Sequence, residues 1–131
     1  MSITSIHHKK TVLVVEDETP LLEALVDKFE MSGFKVYQAK NGKDGLEQAL
    51  SHRPDMILLD IVMPVMDGLT MLEELRKNAW GKTAKVIMLT NLNDWDDTKQ
   101  AVDQNVYEYL VKADWKIEDV VKKVKNKLDI N

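Results

Sequence analysis

The sequence predicts an α/β protein, a doubly wound parallel sheet of five strands with helices on both faces. Apolar runs of strand length recur along the chain, at Thr11–Val15, Met56–Leu59, Lys85–Leu89 and Val106–Val111. A shorter alternating run, Phe34–Gln38, adds an edge strand. Between them lie segments with apolar residues at helical spacing, joined by short loops. Strict alternation of strand and helix requires right-handed crossovers, and these make the sheet parallel.

Each element has its own signal. Thr11-Val-Leu-Val-Val15 is β-branched and apolar, which suits a strand buried on both faces. Thr19-Pro20 then reads as an N-cap followed by a first-turn proline. Leu22, Leu25, Val26 and Phe29 form the stripe of the first helix, and Gly33 ends it. Asn41-Gly42 opens a second helix with Leu46, Ala49 and Leu50 inward, closing before Pro54. Met56-Ile-Leu-Leu59 is too short for a helix, and Asp60 stands at its end. Pro64 stops that strand, and Asp67-Gly68 starts a helix carrying Leu69, Leu72 and Leu75.

After the strand ending in Thr90, the segment Asn93–Gln104 reads as a weakly amphipathic helix. Only Ala101, Val102 and Trp95 point inward, so it is held less firmly than its neighbours. Val106–Val111 leads to Lys112. The last helix runs from an Asp114 cap to about Leu128, with Ile117, Val120, Val121, Val124 and Leu128 inward.

Composition narrows the function classes. The chain has 131 residues, no Cys and a net charge of -4. Length allows one domain: residues 1–10 read as a flexible lead-in and 11–131 as the domain, with no output domain. Absence of Cys removes disulfides, thiolate catalysis and Cys-zinc sites, and favours a cytoplasmic setting. The acidic balance argues against direct nucleic-acid binding, and no apolar run approaches a membrane span. The His7-His8 pair on a polar end reads as incidental.

In a parallel sheet all strand C-termini share one edge, the usual place for a ligand site. Just past those ends stand Glu16 and Asp17, then Asp60, Thr90 and Lys112. Crowded carboxylates resist joint ionisation unless a cation is near. A hard divalent ion such as Mg²⁺ resolves this. Lys is a compact point charge suited to a phosphoryl group. The set has the parts needed to place a phosphoryl group on a carboxylate.

These motifs, Val-Val-Glu-Asp-Glu18, Leu-Leu-Asp-Ile-Val-Met-Pro-Val-Met-Asp-Gly68, Met-Leu-Thr90 and Tyr-Leu-Val-Lys112, resemble the receiver domain of two-component response regulators. The likeness runs from about Thr11 to Leu128 and is strongest to the stand-alone, chemotaxis-regulator-like kind. It implies a flavodoxin-like fold with strand order 2-1-3-4-5. It also implies that Asp60 is the phosphoacceptor, receiving its group from a histidine kinase or phosphotransfer protein. Mg²⁺ would bind to Asp17, Asp60 and the backbone carbonyl of Val62, with Glu16 acting through water. Thr90, Lys112 and the Asn91 backbone would hold the phosphoryl group, and Tyr109 would rotate inward behind it. The fourth helix, fifth strand and last helix would then form the switched docking surface. Such a protein catalyses its own phosphorylation and dephosphorylation without being an enzyme on a separate substrate.

The chain departs from that family in places. Ala113 follows Lys112 where receivers carry a cis-linked Pro. A cis bond before a non-proline costs about 2.5–4 kcal/mol, so a trans bond with a shifted turn is expected, or else a strained cis bond. Asn91 replaces a small residue and should slow small phosphodonors. Val62 and Leu92 stand where faster-hydrolysing relatives carry polar groups, and predict a long-lived phosphorylated state.

Simpler readings exist for several residues. Glu16, Asp17 and Glu18 suit a helix start, and Tyr109 suits a static core position. Trp80, Trp95 and Trp115 read as packing residues, the seven Met as core filler, and His52 as a helix-end contact. Lysines of the last helix and Asp94, Asp96, Asp97 and Asp103 read as solvated faces, or as the two halves of a phosphorylation-dependent homodimer.

Other functions fit less well. A haloacid-dehalogenase-type phosphatase needs a second Asp where Val62 stands. A dinucleotide module wants a Gly-rich turn in place of Glu16-Asp17-Glu18. A receiver-like binding module that is never phosphorylated is the nearer alternative.

Overall fold

In the computed structural model, residues 9–90, 108–112 and 115–130 are described. Five strands form one parallel sheet: β1 (Thr11–Val15), β2 (Lys35–Ala39), β3 (Met56–Asp60), β4 (Val86–Thr90) and β5 (Glu108–Val111). Their spatial order is β2-β1-β3-β4-β5, as expected. Among the described residues, α1 (Thr19–Met31), α2 (Gly42–His52), α3 (Gly68–Lys77) and a C-terminal helix (Ile117–Lys127) cover the sheet. A single 3₁₀ turn, Gly81–Thr83, lies between α3 and β4. The segment expected to form a weak helix, Asn93–Gln104, lies outside the described residues, as do Asn91, Leu92 and Ala113. The isomer of the Lys112–Ala113 bond lies outside them for the same reason.

The period-2 alternation of strands divides the core into two layers. Val12, Val14, Met56, Leu58, Ile87 and Leu89 face α1 and the C-terminal helix, meeting Leu25, Phe29, Val120 and Val124. Leu13, Val15, Ile57, Leu59, Val86 and Met88 face the other side, meeting Ala49, Met71, Leu72 and Leu75. All five residues of β3 are buried. Burying a side chain such as Leu58 contributes about 1.5–3 kcal/mol, so β3 anchors both layers.

Local signals explain most element ends. Gly33 takes φ 95, the left-handed region a chain turning out of a helix needs. The Phe34 amide then donates back to the Phe29 carbonyl at 3.0 Å. Asn41 caps α2 by accepting from the Asp44 amide at 2.8 Å, and Asp67 caps α3 by accepting from the Thr70 amide at 2.8 Å. At the last helix the Asp119 carboxylate accepts from the Lys116 amide at 3.3 Å, and the helix starts at Ile117. At α1 the cap position is Glu18, without a side-chain cap bond, and Thr19 is already helical.

Two inward expectations change. Leu50 is 37% exposed, and α2 buries Gly42, Gly45 and Ala49. Gly45 lies against Val15 and Met71, where any side chain would crowd them. The helix therefore approaches on its small residues and turns Leu50 outward. Met31, 80% exposed, is likewise no core filler. His52 does more than sit at a helix end. It stacks on Tyr37 of the edge strand, with ring centroids 3.9 Å apart and planes within 7°.

Candidate functional site

Strand register sets the site. Val15 pairs with Leu59, so the next residues, Glu16 and Asp60, stand level on neighbouring strands. Thr90 pairs with Val111, which puts Lys112 one step past the end of β5 on the same rim. Side chains of Thr90 and Tyr109 lie outside the described set.

Three of the expected site residues meet directly. Lys112 Nζ lies 2.9 Å from Glu16 Oε1 and 3.2 Å from Asp60 Oδ1. Glu16 is fully buried and Asp60 is 3% exposed. One oxygen each from Glu16, Asp17 and Asp60 lie within 4.8 Å of one another. Glu16 Oε2 accepts the Glu18 amide at 3.0 Å, which fixes its rotation. Among the described residues, the Lys112 ammonium is the only group compensating Glu16 Oε1.

The electrostatics follow from this crowding. Burial, then the charge of Glu16, push the Asp60 carboxyl up from its ordinary 3.8 to about 7, against the opposing pull of Lys112. Burial works to lower the Lys112 ammonium. Its hydrogen bond with Glu16 and the charges of Asp60 and Glu16 outweigh that and hold it above its ordinary value. One ammonium thus faces three carboxylates. The excess negative charge and the all-oxygen donor set are what a hard divalent cation takes.

The loop after Asp60 is pinned at several points. The Gly68 amide donates to the Ile61 carbonyl at 2.8 Å, and the Gly42 amide donates to the Met66 carbonyl at 2.8 Å. A Cβ on Gly68 would overlap the Asp60 carbonyl oxygen. Val65 in this loop takes φ 68, a strained conformation for a β-branched residue. Val62 is 55% exposed beside the rim.

Sequence reasoning missed two participants. Glu18 reaches Lys112 Nζ at 3.7 Å while 62% exposed, a link that the run of three acids hinted at. Gly68 was read as a turn residue, but its closeness to Asp60 gives the position a second constraint.

Comparison with known proteins shows the family and the fold. The family model described as response regulator receiver domain matches residues 12–125. The chain is 31% identical over 114 residues to the DNA-binding dual master transcriptional regulator RpaA of Synechocystis sp., spanning 87% of this chain and 47% of that protein. It is 38% identical over 101 residues to the transcriptional regulatory protein PrrA of Mycobacterium tuberculosis, spanning 77% of this chain and 42% of that one. The chain therefore spans less than half the length of these relatives. Among solved structures, a response regulator receiver domain protein (CheY-like) from Methanospirillum hungatei superposes with a TM-score of 0.84 at 28% identity, covering 93% of this chain and 95% of that one. With the family model spanning β1 to the C-terminal helix, the chain belongs to the response regulator receiver domain family of two-component systems.

Proposed function

We propose that Asp60 accepts a phosphoryl group from a phosphohistidine on a histidine kinase or phosphotransfer protein. The added charge then switches a docking surface made of segment 93–104, β5 and the C-terminal helix. The observation that carries this reading is the buried cluster in which one ammonium is shared by Glu16 and Asp60 at 2.9 and 3.2 Å.

In the proposed reaction an Asp60 carboxylate oxygen attacks phosphorus. The phosphorus–nitrogen bond breaks, and the histidine nitrogen leaves with the electron pair. Mg²⁺ would be held by Asp17, Asp60 and the Val62 carbonyl, with Glu16 acting through water. When bound, it would neutralise charge gathering between the attacking and phosphoryl oxygens. Lys112 exchanges its contact with Asp60 for a phosphoryl oxygen, with Thr90 and the Asn91 amide as further donors. Tyr109 turns inward behind Thr90. New charge-assisted bonds of this kind bias a two-state surface. Val62 carries no group able to orient water, and with Leu92 it makes the acyl phosphate long-lived.

Phosphotransfer from the host's own autophosphorylated kinases, followed by mass spectrometry, tests the reading. One phosphoryl group should appear on Asp60, depend on Mg²⁺ and vanish in Asp60→Asn. Transfer that survives Asp60→Asn, or no transfer from any of those kinases, sinks it. The double change Val62→Asn with Leu92→Glu should shorten the phosphorylated lifetime by up to about 10²-fold, the lower end of what a placed acid–base group contributes.

A further inference from the structure

The opposite end of the sheet carries a feature that phosphoryl transfer does not use. Where the strands begin, three adjoining hollows of about 210, 210 and 390 Å³ share lining residues. Lys10 borders the first two, and Ile130 the second and third. Together they outline a shallow trough from the starts of β1, β3 and β4 to the C-terminal helix.

Its charge is one-sided. Lys10, Arg53 and Lys85 line the first hollow, Lys9 the second, and Lys122 and Lys125 the third. Asp55 is the one carboxylate among the lining residues. That carboxylate is already engaged, accepting from the Thr11 amide at 2.8 Å and the Thr11 hydroxyl at 3.1 Å. Helix macrodipoles account for cations at helix C-termini such as Arg53 and Lys125. They do not account for Lys9 and Lys10, which lead into β1. Arg53 also holds a left-handed backbone, φ 44 and ψ 62, where Gly or Asn would be less strained.

We propose that this trough is a docking surface for a short acidic segment of a partner protein. Charge complementarity supplies the attraction. A long polyanion is disfavoured because the molecule's net charge of -4 repels it beyond the local patch. Electrostatic attraction and repulsion fall off over about 8 Å at physiological salt, so a short segment feels chiefly the trough. Aromatic surface is scarce there: Phe34 is buried edge-on against Phe29, and Trp80, which lines the first hollow, is partly buried against the core layer.

The test uses the full chain and a fluorescein-labelled oligoglutamate peptide, read by anisotropy at low and physiological salt. Binding should be salt-sensitive. The triple variant Lys10→Glu, Arg53→Glu, Lys125→Glu should weaken it about tenfold or more, while Lys43→Glu on the exposed face of α2 leaves it unchanged. A melting curve checks that the variant folds, and phosphotransfer to Asp60 measured in the same variant keeps this inference separate from the proposed function. No peptide binding, binding indifferent to the triple change, or tighter binding of a single-stranded oligonucleotide or of phosphatidylserine vesicles than of the peptide overturns the proposal.

Discussion

Lys112 is the residue on which the site's internal balance turns. Its side chain is 11% exposed and compensates two buried carboxylates. Removing one partner of a buried ion pair leaves the other uncompensated, at about 3–5 kcal/mol. Lys112→Met should therefore lower the unfolding free energy in denaturant titrations by about that much, and added Mg²⁺ should restore part of it. Trp115 tests the opposite case. Among the described residues its buried indole N–H has no hydrogen-bond partner, and such a donor carries a desolvation penalty of about 1–3 kcal/mol. Trp115→Phe keeps most of the packing and removes the penalty, so stability should hold or rise in the same titration. A loss comparable to a cavity-forming change would show that the indole is satisfied.

At the scale of elements, the loop between β3 and α3 is the strained part of the frame. Val65 is 77% exposed with φ 68, so it has strain without much burial to offset it. Val65→Gly should stabilise the fold by about 1 kcal/mol. Gly68→Ala should do the reverse, costing at least about 1–3 kcal/mol as overpacking against the Asp60 carbonyl, and slowing phosphotransfer as well. Strands and their polar ends were legible because each apolar run stops at a charged or hydroxyl-bearing residue. The placements of Glu16, Asp60 and Lys112 on one rim followed from that rule and the parallel topology. What stayed hidden depends on distances between elements. Gly45 draws α2 close enough to turn Leu50 outward, Gly68 nests on a backbone atom, and Glu18 swings to Lys112 across a loop. Spacing along one chain carries no record of those separations.

For the whole molecule, the buried Asp60 carboxyl ties folding to pH. The Asp60 carboxyl is raised to about 7 in the folded state from 3.8, so the native state binds the proton more tightly than the unfolded chain. The stability this contributes is present below about pH 4 and is lost as pH rises through 7. Metal-free protein should therefore lose stability from this group between these values. Mg²⁺ bound as proposed would displace that proton, so its stabilising effect should be larger at pH 8 than at pH 6 in thermal melts. An equal Mg²⁺ shift at both values would separate Asp60 from the metal. The clamping of Asp60 has a mechanical consequence too. Its strand is bonded on both sides, its carbonyl is wedged on Gly68, and the residue after it is tied at 2.8 Å to the start of α3. Lys112 hangs from a four-residue strand at the sheet margin, bonded among the described strands to β4 alone. The pocket is a vice with one fixed jaw, and any force arising inside it is delivered through the other.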